Sequence, residues 1–166
     1  MSLEVGRRQF LSRGWKLAVL LVAGAGGWTS WDVLRSRAAA GLGGVVRAVS
    51  EAEVPVESAI YVRNAQAYFT RNGDQIVALW QRCPHLGCRV AWCESSGEFE
   101  CACHGSTFNR IGEHRDGPSP TGMEQFELEV VDGFVEIDTG SVVAGDPPGE
   151  ETIDEPPRGP SCAEGL

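Results

Sequence analysis

Positive charge is in short supply in this sequence: 14 Lys and Arg face 23 Asp and Glu over 166 residues, a formal charge of −9. Residues 1–37 hold six of those cations against only Glu4 and Asp32, so the rest of the chain is strongly acidic. No basic patch with interleaved aromatics occurs, which excludes a nucleic-acid partner; the acidity serves solubility or the steering of a basic protein. Long hydrophobic runs are lacking as well. The uncharged stretch 17–31 would rise about 22 Å as a helix, short of the roughly 30 Å hydrocarbon core. No convincing helical pattern follows residue 50. Histidine is scarce at three, and that scarcity makes its placement informative.

What is present after residue 57 is β-rich. Residues 59–62, 67–70 and 75–80 are short runs of β-branched and aromatic side chains, with Asn72-Gly73 as a hairpin turn between the last two. Residues 125–131 alternate apolar and acidic, and Asp132-Gly133 turns them into 134–138. The expected fold is all-β, built of antiparallel strands.

Two of the three histidines and five of the six cysteines fall within residues 83–106, four of those cysteines in the two motifs at its ends. The stretch opens Cys83-Pro84-His85-Leu86-Gly87-Cys88 and closes Cys101-Ala102-Cys103-His104-Gly105-Ser106. Thiolates and imidazoles on two loops suit zinc or an iron–sulfur cluster. A zinc ion would be satisfied by Cys83, His85, Cys101 and His104, leaving Cys88 and Cys103 idle; the same set suits a [2Fe–2S] centre with mixed ligands.

C-x-H-L-G-C followed by C-x-C-H-G-S resembles the paired cluster-binding loops of the Rieske proteins found with quinol:cytochrome oxidoreductases, a similarity that runs from about residue 59 to 138. The resemblance implies a [2Fe–2S] cluster whose buried iron is held by Cys83 and Cys101 and whose outer iron is held by His85 and His104. It implies a Cys88–Cys103 disulfide between the loops, which requires an oxidising compartment. It further implies that Ser106 donates to a cluster sulfide and that Leu86 helps form a docking tip. Gly117-Pro118-Ser119-Pro120 would shield the loops. Where high-potential relatives carry a tyrosine two residues after the serine, this chain has Phe108. A phenyl ring donates no hydrogen bond, so the expected potential is low, as menaquinol would require. Cys93 and Cys162 match no ligand position, and a bridge between them is left open. His114 is expected to be exposed.

Gly6-Arg7-Arg8-Gln9-Phe10-Leu11 resembles a twin-arginine export signal. The resulting layout is a twin-arginine n-region over 1–14, a retained transmembrane anchor over 15–34 and a Gly-rich flexible hinge over 35–50. A Rieske domain follows over 51–140, and an acidic, Pro-rich tail over 141–166 that is expected to be disordered. Trp15, Trp28 and Trp31 read as interfacial anchors. The implied protein is a single-pass protein of a prokaryotic cytoplasmic membrane, with its domain on the outer side. It would take an electron from quinol, with proton coupling at His104 and His85 beside it. It would pass that electron to a c-type cytochrome, next to a cytochrome b-type subunit, and would be a carrier with no turnover of its own. Two other readings fit the residues: the small Rieske subunit of an arsenite-oxidase-like molybdenum enzyme, and an exported zinc-stabilised interaction module.

Overall fold

The computed structural model describes residues 6–34 and 43–163. It divides into two compact units, residues 1–39 and 40–166. The described residues of the first form a helix, α1 (Arg7–Leu34), of 28 residues. Its large apolar side chains face outward, with Trp15, Leu20, Leu21, Val22 and Trp28 between 68% and 75% exposed. Such a helix has no apolar stripe to lay on a core. Yet Gly24, Gly26, Gly27, Thr29 and Ser30 dilute its second half. Among the described residues no helix is long and apolar enough to cross a membrane.

Among the described residues of the second unit, the regular elements are antiparallel strands and a 3-10 turn at Glu51–Glu53. Its strands are β1 (Val45–Ser50), β2 (Ile60–Val62), β3 (Ala67–Asn72), β4 (Gln75–Trp80), β5 (Ala91–Cys93), β6 (Glu98–Cys101), β7 (Ser106–Phe108), β8 (His114–Asp116), β9 (Gln125–Val131) and β10 (Phe134–Val143). Six form one sheet in the order β1-β10-β9-β4-β3-β2, and four form a second in the order β5-β6-β7-β8. The register Val131↔Phe134 leaves Asp132 and Gly133 as a two-residue turn. Both have positive φ, 51° and 75°, as a type I′ hairpin requires.

Strand alternation divides the core in two. On β3, Phe69 enters a cluster with Val49, Ala78, Phe126, Val135 and Ile137. Its neighbour Tyr68 points the other way, into a cluster with Leu79, Phe99, Phe108, Met123 and the two cysteines Cys83 and Cys101. Because β3 and β4 are covered on both faces, their sequences read as continuous apolar runs rather than alternating ones. The second cluster is the floor on which the smaller sheet sits.

Two expectations about segments change. The anticipated hinge over 35–50 is shorter at its C-terminal end, because Val45–Ser50 is β1, paired with β10 from Val45↔Asp138 to Ser50↔Phe134. Its β-branched residues favour the strand, and Val49 is buried in the core. Residues 35–42 of that hinge lie outside the described residues. The tail over 141–166 is not disordered through 163. It starts as the last three residues of β10 and then lies against the smaller sheet, held by groups other than apolar ones.

Candidate metal centre

Each cysteine–histidine stretch forms the same small turn. In the first, Gly87 N–H donates to the Cys83 carbonyl at 2.9 Å; in the second, Gly105 N–H donates to the Cys101 carbonyl at 3.0 Å. The first loop is closed at its base by Cys83 N–H donating to Cys88 O at 2.7 Å and by a bridge between Arg82 and Arg89. The second is the tip of the β6–β7 hairpin, where Cys101 pairs with Ser106. A disulfide, Cys88–Cys103, ties the two turns together.

That tie brings the remaining donors into one place. Cys83 and Cys101 are free thiols, 2% and 3% exposed, in the same buried cluster. The rings of His85 and His104 meet edge to face, centroids 4.9 Å apart. His85 is half-buried, His104 is exposed, and Leu86 on the first loop is 70% exposed. Burial pushes the Cys83 thiol up in pKa, and the nearby Cys101 sulfur adds to this; backbone hydrogen bonds from His85 and Leu86 act against it. Those amides aim donors at a sulfur, which stabilises it as a thiolate ligand. Two buried sulfurs below two imidazoles form a donor set that fits a [2Fe–2S] cluster with one iron inside and one at the surface.

The Gly-Pro-x-Pro segment touches the second loop through its backbone. Gly117 has φ +89°, and a Cβ there would lie 2.5 Å from the Ser106 Cα and 2.8 Å from the Gly105 carbonyl oxygen. Ser119 N–H donates to Ser106 Oγ at 3.2 Å. With that lone pair engaged, the buried Ser106 hydroxyl keeps its proton for another acceptor. The Pro118 and Pro120 side chains are exposed, so contact with the loop comes from Gly117 and Ser119. Phe108 is fully buried at the end of β7, with its ring against His114. His114 is half-buried rather than exposed: it lies on β8, and its Nε2 is 3.1 Å from the Gly117 carbonyl.

Sequence reasoning missed the far side of the smaller sheet. On β6, Phe99 and Cys101 face the core, while Glu98 and Glu100 face away and are nonetheless buried, at 7% and 6%. The C-terminal segment covers them. Glu100 accepts hydrogen bonds from Ser96 Oγ at 2.7 Å, Ser161 Oγ at 2.8 Å and Ala163 N–H at 3.2 Å. Glu98 Oε1 lies 3.2 Å from Arg115 Nε, an ion pair not aligned as a hydrogen bond. Burial pushes the Glu98 pKa up, partly offset by Arg115. Arg110 grips Glu155 at 2.6 Å, which holds that carboxyl below its ordinary value. Thr152 donates twice to Glu113, through its N–H at 2.9 Å and its hydroxyl at 2.5 Å. The bridge left open in the sequence is formed: Cys93 on β5 is joined to Cys162. The only signal in the sequence was the two unassigned cysteines.

Comparison with known proteins agrees with this geometry. The Rieske [2Fe-2S] domain family matches residues 44–127, half of the chain. The menaquinol:cytochrome c reductase iron–sulfur subunit of Bacillus subtilis is 38% identical over 73 residues, 42% of this chain and 44% of that protein. The cytochrome b6-f complex iron–sulfur subunit of Chlorobaculum tepidum is 32% identical over 66 residues, 40% of this chain and 36% of that protein. The match therefore spans less than half the length of these relatives. Among solved structures, the plasma membrane Rieske protein PetC3 of Synechocystis is 29% identical, with a TM-score of 0.39, covering 43% of this chain and 74% of that one. Cys83, His85, Cys101 and His104 all fall inside the matched segment, and domains of this kind carry a [2Fe–2S] cluster, which sets the zinc reading aside. The chain belongs to the Rieske [2Fe–2S] family.

Proposed function

We propose that this chain is a membrane-anchored electron-transfer subunit that takes an electron from a quinol and passes it to a c-type cytochrome, working beside a cytochrome b-type subunit. The observation that carries the proposal is the layered donor set: two free buried thiols beneath two outward imidazoles, locked by Cys88–Cys103. Cys83 and Cys101 would hold one iron and His85 and His104 the other. When bound, the cluster takes up or gives one electron at a time. The Ser106 hydroxyl would donate a hydrogen bond toward it and stabilise the electron-rich state. His104, the more exposed ring, is the group a quinol hydroxyl can reach; its outward nitrogen accepts the proton that leaves as the quinol is oxidised. Leu86 adds an apolar contact at the same tip.

Both curated relatives are iron–sulfur subunits of quinol-oxidising or b6-f complexes by name, which supports the electron-transfer reading. The outward apolar residues of α1 need lipid or protein cover, and the cations Arg7, Arg8, Arg13 and Lys16 precede them. Together they favour a single pass with the N-terminus in the cytoplasm and the Rieske domain outside.

The test is low-temperature EPR of the dithionite-reduced full chain, with a redox titration across pH. The rhombic signal of a histidine-ligated [2Fe–2S] centre is expected, with a midpoint within about −150 to +300 mV. That midpoint should fall as the pH becomes alkaline, as proton-coupled uptake requires. A pH-independent midpoint would remove the histidine proton from the mechanism, and EPR silence in iron-replete protein would remove the function.

A further inference from the structure

The arginines of the β unit are accounted for unevenly. Arg47 pairs with Glu136 at 3.0 Å, Arg110 with Glu155, and Arg115 with Glu98 and Glu151. Arg71 donates to the carbonyls of Val54 and Glu51. Arg63 and Arg158 are exposed and form no ion pair among the described residues; Arg82 and Arg89 share that lack and differ in what holds them. Both are exposed, and among the described residues neither has a carboxylate within ion-pair distance. Each is held over an aromatic ring instead, Arg82 at 5.2 Å from the centre of Trp80 and Arg89 at 4.6 Å from that of Tyr61. They face each other across the bridge that closes the first cysteine–histidine loop. Like charges opposite one another are unfavourable in a sheet.

Arg82 borders the candidate metal centre, and Arg89 stands beside it across the bridge at the base of the first loop. Arg82 and Arg89 line a cleft of about 200 Å³ with Gln66, Trp80, Gln81 and Gly87. Arg82 and Gly87 also line the adjoining cleft of about 330 Å³, with Cys83, His85, Leu86 and one carboxylate, Glu124, which forms no ion pair with Arg82. A denser cluster of negative charge lies elsewhere: Glu127, Glu129, Glu136 and Asp138 line a third cleft on β9 and β10. Glu129 faces Glu136 and Glu127 faces Asp138 across that ladder. The domain is thus acidic overall and locally basic where its histidines reach the surface.

We infer that Arg82 and Arg89 are the electrostatic part of the docking surface, and that the protein surface receiving the His85–Leu86–His104 tip presents carboxylates beside the contact. The inference rests on the electron-transfer reading above and adds the chemistry of the partner. Held on rings, the two guanidiniums are pre-oriented and give up little side-chain freedom when a carboxylate arrives. Unpaired charge at the rim of a contact acts on the rate and salt dependence of encounter more than on lifetime. A partner basic all over would be drawn to β9 and β10 instead, away from the loops.

The experiment uses the full-length protein in detergent on gold electrodes coated with carboxylate-terminated or ammonium-terminated monolayers. At low ionic strength the wild type should exchange electrons faster with the carboxylate surface, and salt should slow the exchange. The double variant Arg82→Gln, Arg89→Gln should lose about tenfold in rate there, with an unchanged midpoint and EPR signal in solution. Arg7, Arg8, Arg13 and Lys16 are kept in both proteins, so the difference reads Arg82 and Arg89 alone. Equal rates for the two proteins, or faster wild-type exchange on the ammonium surface, would overturn the inference while leaving the cluster reading intact. A wild type without a cluster EPR signal would overturn both.

Discussion

At the scale of single residues, the second loop depends on Gly117, which allows the backbone to lie against Ser106. An alanine there would need positive φ and would place its Cβ 2.5 Å from a backbone atom. The dihedral strain alone costs about 1–3 kcal/mol, and the clash must move the loop as well. Gly117→Ala should therefore lower the melting temperature by several degrees and speed loss of the cluster, read from the decay of its visible absorbance. A melting temperature and cluster lifetime equal to wild type would mean that the segment is not packed on the loop. Phe108 makes the opposite kind of prediction. If a tyrosine hydroxyl there reaches a ligand sulfur, as in the high-potential relatives, it contributes about 1 kcal/mol, roughly 40 mV in a one-electron couple. Phe108→Tyr should raise the midpoint by that amount, and no shift would remove the reason to expect a low potential from this position. The Cys88–Cys103 pair and the four proposed ligands came from the resemblance of the two loops to Rieske proteins, which was visible because its motif residues carry their chemistry in the side chain. Ser119 was not, because it acts through its N–H, which every residue but proline has.

At the scale of elements, the alternation of residues 125–131 and the Asp132-Gly133 turn gave β9 and β10 directly, whereas two segments were misjudged for one reason. Glycine content suggested a hinge up to residue 50, and the lack of apolar residues suggested disorder after 141. Composition measures apolar burial. It does not register that β1 finds an edge in β10, or that the C-terminal segment is held by a disulfide, half-buried ion pairs and backbone hydrogen bonds. That segment braces β6, the strand that ends in Cys101. The Cys93–Cys162 bridge spans 69 residues, and a loop of that size is worth about 2–4 kcal/mol. Cys162→Ser should lower the melting temperature by roughly 5–15 °C and open sites beyond residue 145 to protease, while Cys88–Cys103 stays closed. Protease resistance equal to wild type would show that the ion pairs hold the segment unaided. Acid should act on the same contact. The Glu155 carboxyl has its pKa lowered by Arg110, so its contribution is fully present above the ordinary glutamate value of about 4.3. It is lost as the pH falls through the lowered value. Glu98 has the opposite sign: its raised pKa is a cost above that value that acid relieves, so protonation of Glu98 does not release the strap.

At the scale of the whole chain, two units with opposite relations to water are joined through residues 35–42. The β unit buries its apolar side chains in two clusters and carries the negative charge. The helical unit exposes leucine, valine and tryptophan on all sides behind a cluster of cations. A helix of this composition is borderline: its 28 residues would rise about 42 Å, more than the hydrocarbon core requires, but its second half is diluted by glycine and hydroxyl residues. Spanning and lying at the interface differ in what they predict. A spanning helix keeps the chain in the membrane pellet after washing at high salt and at alkaline carbonate pH. It also leaves the Rieske domain open to protease from the outer side of spheroplasts. An interfacial helix held by Arg7, Arg8, Arg13 and Lys16 on anionic lipid is released by those washes. The outcome expected from the apolar girth of residues 17–22 and the tryptophans at either end is retention, with Trp15 and Trp28 fluorescence shifted to the blue in vesicles. Release by carbonate would replace the single-pass anchor with a peripheral one, and the Rieske domain would then reach its partners from a helix lying on the membrane surface.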